Sequence, residues 1–240
     1  ITLRRALAHS RNVATIKVAE MTGYGEVAAL WRQVGAGASP RAYAAISLGV
    51  FEATPYEIAT AYTLFPNGGT IRPLKAIARV VSGKDVLAAP APKKVEAARP
   101  ATAYLVTSML RSVINEGTGA GARAMGFALD AAGKTGTTND LRDAWFAGFT
   151  PELVVVLWVG FDAPRTLGQA AGRIAVPIWA RFVREATGGS VDGAFTMPGD
   201  VVALDIEPGT GALALEGCAE RQSELFLRGT VVPRKRPRGR

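Results

Sequence analysis

The sequence predicts an α+β fold, helices packed around an antiparallel sheet, and three observations carry that expectation. Apolar runs at helical spacing, closed by glycines, fill the first third of the chain. After Gly133, three β-type segments follow in quick succession across turns too short for crossover helices. Helices first and strands afterwards is the order of α+β, not of alternating α/β.

Taken in order, Ser10-Arg11-Asn12 sits at the mouth of a helix, VATIKVAEM, that Gly23 closes, and EVAALWRQV follows with Gly35 as its stop. Thr54-Pro55-Tyr56-Glu57 has the form of a capping box with proline at the first helical position; it opens IATAYTLF, and Asn67-Gly68-Gly69 ends the run. Between Thr70 and Val95 the pattern becomes strand-like, with Ser82-Gly83-Lys84-Asp85 as turn chemistry, so a surface hairpin is expected. The proline-rich APAPKK then leads to the helix ATAYLVTSMLRSVI. KTGTT, DAWFAGF and LVVVLWVGF read as antiparallel neighbours, and the helix VPIWARFVREAT, ending at Gly188-Gly189, is expected to lie on them. VVALDIEPGTGALA reads as two strands around a Pro-Gly-Thr-Gly turn, and no internal repeat is found.

At 240 residues and 48% apolar side chains the chain can bury a sizeable core. One cysteine, Cys218, excludes an internal disulfide or a cysteine-built zinc site, and one histidine, His9, excludes a histidine-rich metal centre. No metal or other cofactor is expected. The net charge of +8 raises nucleic acid as a partner, but much of the excess sits in the terminal RKRPRGR, residues 234–240, which reads as a solvated, disordered tail. No apolar run approaches the roughly 20 residues of a membrane span.

The triplet Gly133-Lys134-Thr135 invites a phosphate-binding reading, which its surroundings refuse. A P-loop places a glycine four residues before the Gly-Lys-Thr, and that position is Ala128. It must also open a helix, whereas Thr135, Thr137 and Thr138 prolong a β-favouring run. A Lys-Thr-Gly on a strand serves differently. Its ammonium group faces a carboxylate, its glycine lets a ligand lie close, and its backbone pairs with an extended peptide. With a Ser-x-Asn elsewhere, this is a pairing found in penicillin-binding proteins and β-lactamases beside a Ser-x-x-Lys nucleophile.

The blocks Ser10-Arg11-Asn12, ISLGVFEATPYEIATAYTLFPNGG, AYLVTSMLRSVINEGTG, GKTGTTNDLRDAWFAGFTP and LWVGFDAPR together resemble the transpeptidase domain of class A penicillin-binding proteins. The resemblance covers residues 1–233, leaving 234–240 as the tail. It implies the penicillin-recognising serine acyltransferase fold of transpeptidases and β-lactamases. The implied work is cross-linking of peptidoglycan stem peptides ending in D-Ala-D-Ala, with β-lactams as mimics of the donor and other cell-wall synthesis proteins as partners. Carried over by position, Ser10 would relay a proton, Asn12 would hold the nucleophile's lysine and the substrate amide, and Lys134 would set the field around Ser10 and help hold the terminal carboxylate. Thr135 and Thr137 would contact the substrate or that carboxylate by hydroxyl, Gly136 would keep the strand approachable, and the Thr137 N–H would be half of an oxyanion hole.

One part of the pattern is missing. Three positions ahead of Lys17, Lys75, Lys84, Lys93, Lys94, Lys134 and Lys235 stand Ala14, Arg72, Val81, Pro90, Ala91, Ala131 and Val232, so no Ser-x-x-Lys lies within these residues. The resemblance therefore leads us to expect that the nucleophile, the first strands, and any membrane anchor or glycosyltransferase domain precede Ile1. The site would then face the periplasm or the outer side of the membrane, and the 240 residues alone would be inactive. A D,D-carboxypeptidase or β-lactamase, or a non-catalytic relative of the same fold, are the alternatives. His9 reads as structural or solvent-facing, Asp140 and Asp143 as a turn residue and a strand-end cap and not as a pair of catalytic carboxylates, Cys218 as a packed or incidental thiol, and Trp145, Trp158 and Trp179 as core.

Overall fold

The computed structural model describes residues 1–34, 40–163, 165–190, 193–215, 218 and 220–233. Gly35 and the basic tail 234–240 lie outside the described residues.

A short helix that the sequence reading passed over, α1 (Leu3–Ala8), comes first; the Thr2 side chain caps it by accepting from the Arg5 N–H. Then come α2 (Asn12–Thr22), closed by Gly23, and α3 (Tyr24–Val34). Helix α4 (Pro55–Tyr62) carries both halves of the expected capping box, with Thr54 accepting from the Glu57 N–H and Glu57 accepting from the Thr54 N–H. Such reciprocal caps satisfy N–H groups that the first helical turn would otherwise leave open. Strands β1 (Thr70–Ile71) and β4 (Val95–Glu96) pair with each other, and between them β2 (Val80–Ser82) and β3 (Asp85–Ala88) form the expected exposed hairpin. Helix α5 (Pro100–Asn115) and the single turn α6 (Gly121–Ala124) lead into the sheet.

That sheet is antiparallel, in the order β5 (Ala132–Thr137), β6 (Ala144–Phe149), β7 (Val154–Val159). Helix α7 (Ala171–Ala186) covers one face, where Trp179, Phe146, Ala144, Val176 and Val183 are buried together. The Trp179 ring meets Phe146 edge-on at 5.0 Å, and its Nε1–H donates to the Val155 carbonyl. Helices α4 and α5 cover the other face, where Phe149 stacks on Phe65 and packs with Leu110, Val113 and Ala132. Both faces of the sheet thus carry packed side chains, which fixes its register: a one-residue slip would exchange the two sets.

Three expectations need correction. Helix α7 begins at Ala171, five residues before the predicted start, and holds Pro177 inside it. The extra turn survives because Ala171, Ala175 and Val176 are fully buried and the Ala171 N–H is capped by Thr137 Oγ1 at 3.1 Å. The second half of VVALDIEPGTGALA is not a strand but a single bridge, Ile206 to Leu213; β8 (Val201–Ile206) instead pairs with β9 (Gln222–Leu227). Trp179 is core as predicted, but Trp158 is 37% exposed and Trp145 is half-buried. Their rings lie 6.2 Å apart at the end of the sheet, and the Trp158 Nε1–H is held by Asp143 Oδ1 at 2.9 Å.

Candidate active site

Ser10 stands at the junction of α1 and α2. The Arg11 N–H donates to the Ala6 carbonyl and the Ser10 N–H to the Leu7 carbonyl, the two bonds of a Schellman motif. That motif puts one residue in the left-handed region, normally glycine, and here Ser10 has φ 52°. A side chain there costs about 1 kcal/mol. Strain kept at a position where glycine is easier points to a use for the hydroxyl.

That hydroxyl has a partner far along the chain. Lys134 Nζ donates to Ser10 Oγ at 2.9 Å and to the Thr135 carbonyl at 3.0 Å, joining residues 124 positions apart. Lys134 points toward α1 because alternation on β5 places it on the face shared with Ala132, which packs on α5. Burial pushes its pKa down from 10.5 to about 8. It is therefore about nine-tenths protonated at pH 7, a cation partly withdrawn from water.

Thr135 and Thr137 lie on the opposite face. The Thr135 hydroxyl is 2.7 Å from that of Thr118, in the loop between α5 and α6. Thr137 Oγ1 accepts from the Ala171 N–H, which leaves its own proton free to donate. A Cβ at Gly136 would lie 3.1 Å from the Trp145 Cβ, so this glycine admits Trp145 on the Lys134 face as well as keeping the strand narrow. Among the described residues β5 pairs with a strand on one side only. The strand-and-edge geometry of Lys134 is not that of a phosphate loop.

Asn12 is the first residue of α2; its side chain is exposed and makes no hydrogen bond among the described residues. The structure thus brings together Ser10 with Lys134, keeps Thr135 and Thr137 on the same strand, and leaves Asn12 beside them unengaged. His9 is exposed, as expected, and Asp143 is the turn staple: its N–H donates to Thr138 Oγ1, and its Oδ2 accepts from the same hydroxyl. Among the described residues no group of three His, Cys, Asp or Glu side chains could hold a metal ion.

Residues 1–184 match the family model of the penicillin-binding protein transpeptidase domain. The chain belongs to that family. Penicillin-binding protein 1A of Neisseria lactamica is 38% identical over 212 residues, a match covering 85% of this chain and 26% of the relative. The protein of the same description from Aquifex aeolicus is 34% identical over 233 residues, 96% of this chain and 32% of the relative. The chain therefore spans about a quarter to a third of the curated relatives it matches. The crystal structure of penicillin-binding protein 1A from Haemophilus influenzae superposes with a TM-score of 0.87 at 25% identity, over 99% of this chain and 41% of that one. PonA1 from Mycobacterium tuberculosis in complex with penicillin V shares the fold, with a TM-score of 0.68 at 23% identity. The penicillin-recognising α+β fold and class A kinship expected from the sequence both stand.

Thr118 escaped the sequence reading. Its signal was the glycine on either side, in Glu116-Gly117-Thr118-Gly119, a composition that lets a backbone thread between packed elements.

Proposed function

We propose that these residues build the wall of a D,D-transpeptidase active site that works on peptidoglycan stem peptides at the outer face of the cytoplasmic membrane, and that β-lactams occupy the same wall. The supporting observation is the 2.9 Å contact between Lys134 Nζ and Ser10 Oγ. It couples a partly desolvated cation to a hydroxyl held in a strained backbone, an arrangement for moving a proton beside an anion.

The donor peptide runs along the edge of β5 that has no strand partner, its terminal carboxylate meeting Lys134, Thr135 and Thr137. A serine in a Ser-x-x-Lys sequence outside these 240 residues attacks the penultimate D-alanine carbonyl. A C–O bond forms, the C–N bond to the last D-alanine breaks, and the proton lost by the nucleophile reaches the leaving amine through Ser10. The Thr137 N–H supplies half of the oxyanion hole, and Asn12 orients the nucleophile's lysine. An amine of a neighbouring strand then takes the acyl group, displacing the serine. The peptide chemistry needs no cofactor. The site's place outside the membrane follows from its substrate; no described helix is long and apolar enough to cross a membrane.

Labelling with a fluorescent penicillin tests this. The full-length gene product gives a covalent band that Lys134→Ala abolishes, whereas the 240-residue chain gives none. A band from the 240 residues alone refutes the assignment of the nucleophile outside them, and no band from the full-length product refutes acyl transfer.

A further inference from the structure

The loop between α5 and α6 threads between the ends of three elements that carry the site. The Thr118 N–H donates to the Ala8 carbonyl at 3.0 Å, two residues before Ser10. A Cβ at Gly117 would lie 2.2 Å from that same oxygen, and a Cβ at Gly172, at the start of α7, 2.7 Å from the Thr118 carbonyl oxygen. The Thr118 backbone is thus fixed against α1 and α7. Its hydroxyl is fixed in turn, 2.7 Å from that of Thr135 on β5.

Only one proton lies between those two oxygens, and either can donate it. A carboxylate removes the choice, because it accepts only. If Thr135 gives its proton to the ligand, the hydrogen bond between the threonines must be donated by Thr118. Successive donation in one direction polarises each member of such a chain and strengthens the last bond.

We propose that Thr118 is a positioning residue: it donates its hydroxyl proton to Thr135 and so commits the Thr135 proton to the ligand carboxylate. The role rests on the carboxylate-binding reading above. Thr118 touches no reacting atom, and its effect is confined to ligands that present an anion at Thr135. A residue that merely holds the loop in place would affect charged and uncharged ligands alike.

The test is the second-order rate of acylation of the full-length protein by a penicillin and by the methyl ester of the same penicillin. Thr118→Val keeps the shape and removes the donor. It is expected to slow the acid about fivefold, the effect of one ordinary hydrogen bond, while leaving the ester rate within twofold. Thr118→Ser is expected to restore the acid rate. Equal slowing of acid and ester, no slowing of either, or failure of serine to rescue overturns the positioning role while acyl transfer stands. If the unsubstituted protein reacts with neither compound, the acyl-transfer reading falls and takes this role with it.

Discussion

The protonation of Lys134 gives the sharpest test of the site. Burial lowers its pKa from 10.5 to about 8, which means that the folded environment disfavours the ammonium form by about 3 kcal/mol. Its charge should therefore be lost within an accessible pH range. A hydrogen bond from a cation to a carboxylate contributes about 1.5–3 kcal/mol, so deprotonation should weaken carboxylate recognition roughly tenfold to a hundredfold. The assay is the rate of acylation of the full-length protein by a fluorescent penicillin, followed from about pH 6 to about pH 10. The rate should fall through a single ionisation near pH 8. Lys134→Arg, whose guanidinium stays protonated throughout, should remove that descending limb even if the maximal rate drops. Persistence of the limb in Lys134→Arg, or a midpoint near the ordinary lysine value, refutes the claim that desolvated Lys134 is the group responsible. The effect on stability has the opposite sense. Because the folded pKa lies below the unfolded one, the unfolded chain holds more protons between about pH 8 and pH 10.5, so stability rises across that window while ligand recognition declines.

Backbone strain at Ser10 predicts that Ser10→Gly is more stable than Ser10→Ala by about 1 kcal/mol, although both lose the hydroxyl and both fail to acylate; equal melting temperatures would refute the strain. Arg4 and Glu224 form an ion pair with side chains 11% and 13% exposed, and Arg4 also donates to the Ser108 carbonyl at 2.6 Å and to Ser112 Oγ at 3.3 Å. Glu224→Leu leaves that guanidinium unpaired and should cost about 3–5 kcal/mol, while adding Arg4→Met should recover most of the loss; a thermal-melting double-mutant cycle with no coupling would refute the clamp. Gly117→Ala drives a Cβ into the Ala8 carbonyl at 2.2 Å, so it should lower the melting temperature and slow acylation together, and a neutral result would show that the loop can yield.

Much of the fold was legible because its signals are local. Thr54-Pro55-Tyr56-Glu57 specifies a helix start through bonds that close within four residues, and it formed as read. The strands β5 to β7 were legible from β-branched and aromatic runs broken by short turns, which leave adjacent strands little choice but to pair. Where an element depends on distant partners, its bounds are not in the local sequence. The helix pattern starts at Val176 in the sequence because no local feature shows that Ala171 is capped by Thr137, 34 positions earlier. By its local pattern Leu213 belongs to β8's partner strand, whereas the partner is β9, whose Glu224 pairs with Arg4 from 220 positions away. Hydrophobicity alone places Trp145 and Trp158 in the core; their position at the end of the sheet, where Trp158 is 37% exposed, is a tertiary matter.

For the site the division is similar. The residue types and their order, Ser10-Arg11-Asn12 and Lys134-Thr135-Gly136-Thr137, came from the sequence, as did the refusal of a phosphate loop through Ala128. Sequence carries these because a motif is a statement about which groups are covalently near one another. It does not carry the 2.9 Å contact between Lys134 and Ser10, the lowered pKa that burial imposes on that lysine, the strained φ of the serine, or the hydroxyl pair of Thr118 and Thr135. Each of those arises when α1, the loop after α5 and the edge of β5 are packed against one another. Distance, desolvation and proton direction are properties of that packing.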